Sequence, residues 1–341
     1  MFNFMIRFGM VIAVGLSCVD GVAQGNPELL VVDQGDRDVS VVDLGGGRVI
    51  GTVPVGGVTG HEVAVTPDRR TAFVPVYGNS GVGRAGTDGS SMAVVDVAGR
   101  RVRGTVDFGH GVRPHCAVYD VRRNVLYVTT ELDQSVAVVD PRTLKVVASI
   151  PTGQAESHML VVSHDGRRGY TANVGPGTVS VLDLEGRKTL AVIPVAGNVQ
   201  RISMSNDDKM VFTADQGQPR LAVIDTKTNK ISRWIALPGV GYGAAATRDG
   251  RYLLVTLRET GRLAVVDLRT LAVVRTMDVG KGPVEVLVRP DGRMAYVSCS
   301  PEAKVAELDL KGEVGGWRVT RMLPAGVGAD GLAWVGGGGG V

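Results

Sequence analysis

The chain has 341 residues, 48 of them glycine, with 44% hydrophobic and only 5% aromatic residues. That composition excludes a disordered or coiled-coil protein and suits many short valine-rich strands joined by tight turns. A formal net charge of +3 over this length, with no dense basic run, gives no electrostatic case for nucleic acid or an anionic membrane surface as a partner.

In chain order, Arg7, the apolar stretch Phe8 to Val19 and the small-x-small sequence Gly21-Val22-Ala23 predict a signal peptide over 1–23. The stretch falls short of the roughly 18 to 20 apolar residues that an uncleaved span needs. Leu16-Ser17-Cys18 places its leucine one position too close to the cysteine for a lipoprotein site. The expectation is therefore an exported chain, periplasmic or secreted, with no membrane span after cleavage near Ala23. Cleavage leaves Cys116 and Cys299, which fall on different repeat units in strand-like apolar contexts. Two buried, unreactive thiols are expected there, not a disulfide.

From residue 39 onward a short β-type run ends in aspartate seven times, at Asp43, Asp96, Asp140, Asp183, Asp225, Asp267 and Asp309, with spacings of 53, 44, 43, 42, 42 and 42 residues. A period near 42 with several strands per unit is the mark of propeller blades. In the unit carrying His158, the strands are expected at about 158–162, 168–172, 178–183 and 189–194. Turn aspartates Asp165, Asp207, Asp249 and Asp291 repeat at 42 between the first two strands, and the run-ending aspartates suit turns in which a carboxylate accepts backbone N–H groups.

The final unit stops after one strand, 331–335, and the mature chain begins with a strand, 29–33, that has no inner partner before it. Joining them completes a blade and removes the open sheet edge between first and last blades. The fold class is thus all-β: a seven-bladed β-propeller of four-stranded antiparallel blades over 24–336, with a flexible glycine tail over 337–341.

The units resemble the YVTN-repeat β-propellers, with Leu126-Tyr-Val-Thr-Thr130 and Gly169-Tyr-Thr-Ala-Asn173 close to the name-giving strand. The resemblance covers essentially the whole mature chain and implies the propeller fold. Surface-layer-like proteins, lactone-cleaving relatives and cofactor-bearing redox domains share that fold, so it does not select among them.

Each inner strand begins at the mouth of the central channel. The residues at that register are His61, His115, His158, Gln200, Tyr242, Val284 and Asp330, so three of the five histidines occupy it on successive blades. Ring closure makes Asp330 a neighbour of His61. The long segment Tyr77 to Ser91, which causes the 53-residue spacing, is expected to overhang the same rim. His110, Arg113, Glu156, Arg201 and Glu62 approach that face, whereas His164 falls in a turn of the opposite one.

Two chemistries fit this pattern. His61, His115 and His158, with Asp330, are candidate ligands for zinc or copper. Without a metal, Gln200, Tyr242, Arg113, Arg201, Tyr77 and Asn79 are candidate ligand-binding groups, and His115, Arg113 and Glu156 candidate catalytic ones polarising a lactone or carboxylated molecule. Arg113-Pro-His-Cys-Ala117 is similar to the HPH-type segment of the lactone-cleaving propellers, with arginine where they tend to have histidine. The leading expectation is a module binding a small molecule or a partner protein through this face. The alternative is an enzyme using the same rim, metal-dependent or lactonase-like. No CxxCH sequence is present for covalent haem attachment.

Overall fold

Every one of the seven run-ending aspartates closes a turn by accepting a backbone N–H two or three residues on: Asp43 from Gly45, Asp96 from Gly99, Asp140 from Arg142, Asp183 from Gly186, Asp225 from Thr228, Asp267 from Arg269 and Asp309 from Lys311, all within 2.7–3.1 Å. The second set of turn aspartates acts alike, with Oδ1 of Asp165, Asp207, Asp249 and Asp291 accepting the N–H two residues later. These local bonds punctuate the chain into strands before any long-range packing is needed.

The structure, a computed structural model, describes residues 1, 27–56, 59–79 and 81–336. The expected signal segment beyond residue 1 and the glycine tail over 337–341 lie outside the described residues. The strands form seven four-stranded antiparallel sheets. The unit carrying His158 runs Ser157–Val162, Arg168–Asn173, Thr178–Asp183 and Lys188–Pro194, each bound within one residue of expectation. Among the described residues there is no α-helix, only the 3-10 turns Ser300–Glu302 and Val314–Gly316. None of the described helices is long and apolar enough to cross a membrane.

Closure follows the sequence pattern. Ala329–Val335 pairs antiparallel with Glu28–Asp33, which pairs with Asp38–Asp43 and then Arg48–Pro54, so the chain's last strand is the inner strand of the first blade. The core is divided. Seven apolar clusters each join two adjacent blades, as where Leu29, Val31 and Leu332 of the first blade meet Tyr296, Val305 and Leu323 of the seventh. A blade buries its faces only against its neighbours, so stability depends on the ring being complete. Cys116 and Cys299 are free and buried, and burial pushes both thiols up to about 12.

Candidate functional site

Seven inner strands converging on one axis bring the residues at or just before their starts to one rim. His61, His115, His158, Gln200, Tyr242, Val284 and Asp330 all line a cavity of about 170 Å³ at the channel mouth. The imidazoles are in mutual contact: ring centroids are 4.9 Å apart for His61 and His115 and 3.5 Å for His115 and His158, the latter pair tilted by 32°. Gly331 N–H donates to the carbonyl of His61 at 2.9 Å, so the closing strand holds the backbone on which this imidazole stands.

A second ring of side chains stands behind the first. It comes from the residue six positions after the second-strand residue that faces the run-ending aspartate, which gives Gln34, Tyr77, Glu131, Val174, Gln216, Arg258 and Ser300 around the seven blades. Gln34, Tyr77, Arg258 and Ser300 reach the cavity. Of this register only Tyr77 was expected at the site. The signal for the rest was the same 42-residue arithmetic applied one strand later, masked because the register mixes residue types and carries no repeated one.

Glu131 organises one side. Its Oε2 accepts the Tyr77 hydroxyl at 2.8 Å, and its Oε1 is bonded to His158 Nδ1. All three groups are buried. With Nδ1 committed to a carboxylate, Nε2 is the nitrogen that His158 has left for other partners. Burial, with Glu131 adding to it, holds the Tyr77 hydroxyl well above the ordinary tyrosine range. On the adjoining side Asp330 Oδ2 takes a bond from Gln34 Nε2, which also lies 3.0 Å from His61 Nδ1.

Arg201 anchors the floor. Its guanidinium pairs with Asp330 at 2.6 Å and Glu62 at 2.8 Å, with Glu285 at 4.0 Å, and the whole group is buried but for part of Glu285. Three carboxyls against one cation cannot all be charged at low cost. Burial raises Glu62 well above its ordinary value and Glu285 to about 7, against the pull of Arg201. Burial works to lower Arg201, and the carboxylates of Glu62 and Asp330 overcome it. Burial also lowers His61 to about 4 and His115 well below 6.5, so both imidazoles are uncharged at neutral pH.

Other expected residues stand elsewhere. Arg113, at φ 49°, commits its guanidinium to Asp88 Oδ1 and the Arg84 carbonyl, both at 2.6 Å, where it also lies 5.8 Å from the centroid of the Tyr77 ring, and so ties down the long loop. Glu156, at φ 52°, accepts Gly175 N–H at 2.7 Å. Asn79 closes the base of the loop through Thr87, accepting its N–H at 2.7 Å. None of the three lines the cavity, because their loops lead the chain to the rim from outside it. Within the loop, Gly81 and Val82 do reach the cavity. His110 pairs with Asp133 at 2.8 Å and His164 with Asp208 at 2.6 Å, both exposed.

The three imidazoles are not arranged as a converging ligand set. Two imidazoles bound to one tetrahedral zinc at a Zn–N distance of about 2.1 Å keep their centroids roughly 5 Å apart, well beyond the 3.5 Å between His115 and His158. Among the described residues no group of three or more His, Cys, Asp or Glu side chains is placed to hold a metal ion. A larger groove of about 430 Å³ lies on the opposite face between the sixth and seventh blades, around Arg248, Asp291, Glu313 and Trp317. It holds no histidine and has no part in the channel.

Residues 115–300 match the family described as Domain of unknown function (DUF5074). No relative among curated proteins matches the chain. Among solved structures, the fold is similar to a periplasmic gluconolactonase of Pseudomonas aeruginosa, at 19% identity and TM-score 0.71 over 91% of this chain and 99% of that one. It is also similar to hydrazine synthase of Kuenenia stuttgartiensis, at 18% and 0.66 over 80% and 88%. A third is a dihydro-heme d1 dehydrogenase, NirN, at 16% and 0.64 over 91% and 75%. At these identities the likeness shows a shared fold alone.

Proposed function

The chain belongs to the DUF5074 family, whose matched span covers more than half of it, and we propose that it is an exported propeller that binds a small polar molecule in the channel-mouth cavity. One observation carries this reading: all seven blades contribute to a single cavity lined by imidazoles, phenols, amides and a hydroxyl, with the guanidiniums of Arg201 and Arg258 and the carboxyl of Asp330 among them. Its 170 Å³ matches the size of one six-membered ring, since engineered cavities of about 150 Å³ take up benzene. Binding sites of this kind combine a shaped enclosure with a few directed polar groups. Export rests on the leader read in residues 1–23. The test is a thermal-shift and calorimetric screen of ring-sized polar molecules: myo-inositol, D-glucose, D-glucuronate, shikimate and methyl shikimate. At least one should bind saturably and lose most of its affinity in Gln200→Ala and His158→Phe. A screen in which none binds, or in which binding ignores both substitutions, refutes the reading.

The Glu131–His158 pair favours a second reading, hydrolysis of a lactone ring, which is also the substrate class in the name of the Pseudomonas aeruginosa neighbour. His158 Nε2 takes a proton from water, the resulting hydroxide adds to the lactone carbonyl, and the ring C–O bond breaks. The imidazolium then returns its proton to the alkoxide, giving a hydroxy acid. Glu131 keeps the imidazole in the required tautomer and balances its transient charge. Gluconolactone hydrolysis followed in a pH-stat decides it: wild-type turnover should fall at least 100-fold in His158→Gln, and an inactive wild type removes the idea.

A further inference from the structure

We propose that the cavity contains an anion subsite at Arg258, and that the molecule it takes is a ring bearing a carboxylate. This rests on the binding reading above and specifies its ligand class. Two guanidiniums flank the Tyr242 ring, Arg201 at 5.4 Å and Arg258 at 5.2 Å from its centroid, and they differ in what else they do. Arg201 is buried and spent on Asp330 and Glu62. Arg258 is exposed at the mouth, lines the same cavity, and makes no ion pair or hydrogen bond with any described residue. It is the one charge at the cavity with no counterpart among them.

The field at the mouth follows from this difference. Arg201 is paired with the buried carboxyls of Asp330 and Glu62, and Glu131 is occupied behind Tyr77 and His158. Arg258 therefore sets the sign presented to an incoming molecule. Stacking against Tyr242 limits the conformations of its long side chain and leaves the planar N–H fork free, and that fork matches a carboxylate in two parallel bonds. Ser300, from the next blade, lines the same side of the cavity and offers a hydroxyl. The opposite side carries the imidazoles. A cavity with an unpaired cation at one end and imidazole rings at the other is suited to an asymmetric ligand, with its ring among the histidines and its carboxylate outward.

The experiment uses matched pairs differing in charge: D-glucuronate against D-glucose, and shikimate against methyl shikimate, titrated calorimetrically into wild type, Arg258→Gln and Arg258→Lys. For at least one pair the carboxylate should bind ten times more tightly than its neutral partner. The preference should shrink to within twofold in Arg258→Gln and to an intermediate value in Arg258→Lys, which keeps the charge and loses the fork. Binding of the neutral partners without a carboxylate preference, or a preference that survives in Arg258→Gln, overturns the subsite and leaves the binding reading standing. If neither member of either pair binds, both fall together. Arg258 is exposed, so folding of the variants is not at risk, and circular dichroism checks it.

Discussion

Asp33 is wholly buried, and burial, with the neighbouring Asp38 carboxylate adding to it, raises its carboxyl to about 7 against the pull of nearby Ser40. A group that ionises near 4 in the unfolded chain and near 7 in the fold costs stability once the pH exceeds both values, here about 2–4 kcal/mol. Asp33→Asn should therefore raise stability at pH 8 by about that amount and change it little at pH 4, as read by urea unfolding at the two pH values. An equal effect at both would show that packing, not charge, is what the substitution alters. Glu131 poses the reverse case, because its two oxygens serve two buried donors, Tyr77 and His158. Glutamine has one acceptor oxygen, so Glu131→Gln leaves one donor facing an amide, at a cost of about 1–3 kcal/mol. Tyr77→Phe removes only a donor and leaves the carboxylate bonded to His158, so it should cost less. Urea midpoints ranking the two variants the other way round would exclude Glu131 as the organising group.

At the level of strands, the closing segment Ala329–Val335 does two things at once: it seals the ring and it positions His61. An added Cβ at Gly331 would come within 2.5 Å of the His61 carbonyl and 2.7 Å of Glu62 Cα, contacts with backbone that cannot swing aside. Gly331→Ala should cost about 2–4 kcal/mol by forcing these apart. Leu332→Ala, in the same strand, empties a side chain packed with Tyr296 and Val305 at a similar cost of about 2–5 kcal/mol without touching His61. The pair separates closure from site geometry: both variants should lower the urea midpoint, and only Gly331→Ala should perturb the His61 imidazole resonance in NMR. Blades, their register and this closure were legible in the sequence because aspartates and strand ends recur at a constant interval, and the inner ring of the site came with them. Arg113, Glu156 and Asn79 are not among the cavity's lining because a loop residue's side chain follows its own hydrogen bonds, not the register: Arg113 and Glu156, both with left-handed backbone, bond to Asp88 and to Gly175. The repeat interval gives the position of Glu131 but not its importance, which lies in two contacts made across blades, to Tyr77 and His158.

Across the whole molecule, folding moves protons from imidazoles to carboxyls, and stability should follow pH accordingly. Below pH 6.5 the unfolded chain binds protons on His61 and His115, which the fold keeps uncharged down to about pH 4 for His61 and also well below 6.5 for His115. On their own, these two lose stability as the pH falls. Glu62, Glu285 and Asp33 act in the other direction, because the fold keeps their protons up to about 7 for the last two while the unfolded chain releases them near 4. For Glu285 and Asp33 that contribution is fully present at low pH and disappears as the pH rises through 7. Between about pH 4.5 and 6.5 the folded-state protons of Glu285 and Asp33 offset the two imidazole protons of the unfolded chain, and the upward shift of Glu62 tips the balance toward the fold. Stability should therefore rise on acidification through this range, by less than the roughly 1.4 kcal/mol per pH unit that one whole proton would give. Below about pH 4 the direction reverses: the unfolded carboxyls are then protonated too, and turn aspartates such as Asp140, Asp183 and Asp225, held below the usual carboxylate range by backbone N–H groups, begin to lose their bonds. The stability optimum should accordingly lie near pH 4.5–5, lower than for a protein whose carboxylates are all charged. Urea midpoints measured from pH 3.5 to 8.5 test this. In Asp33→Asn with Glu285→Gln the folded-state protons of these two carboxyls are gone while the histidines remain, so the same series should instead lose stability between pH 6.5 and 4.5. A wild type whose midpoint falls steadily below pH 6.5 would mean that the imidazoles, and not the buried carboxyls, dominate the titration of the channel.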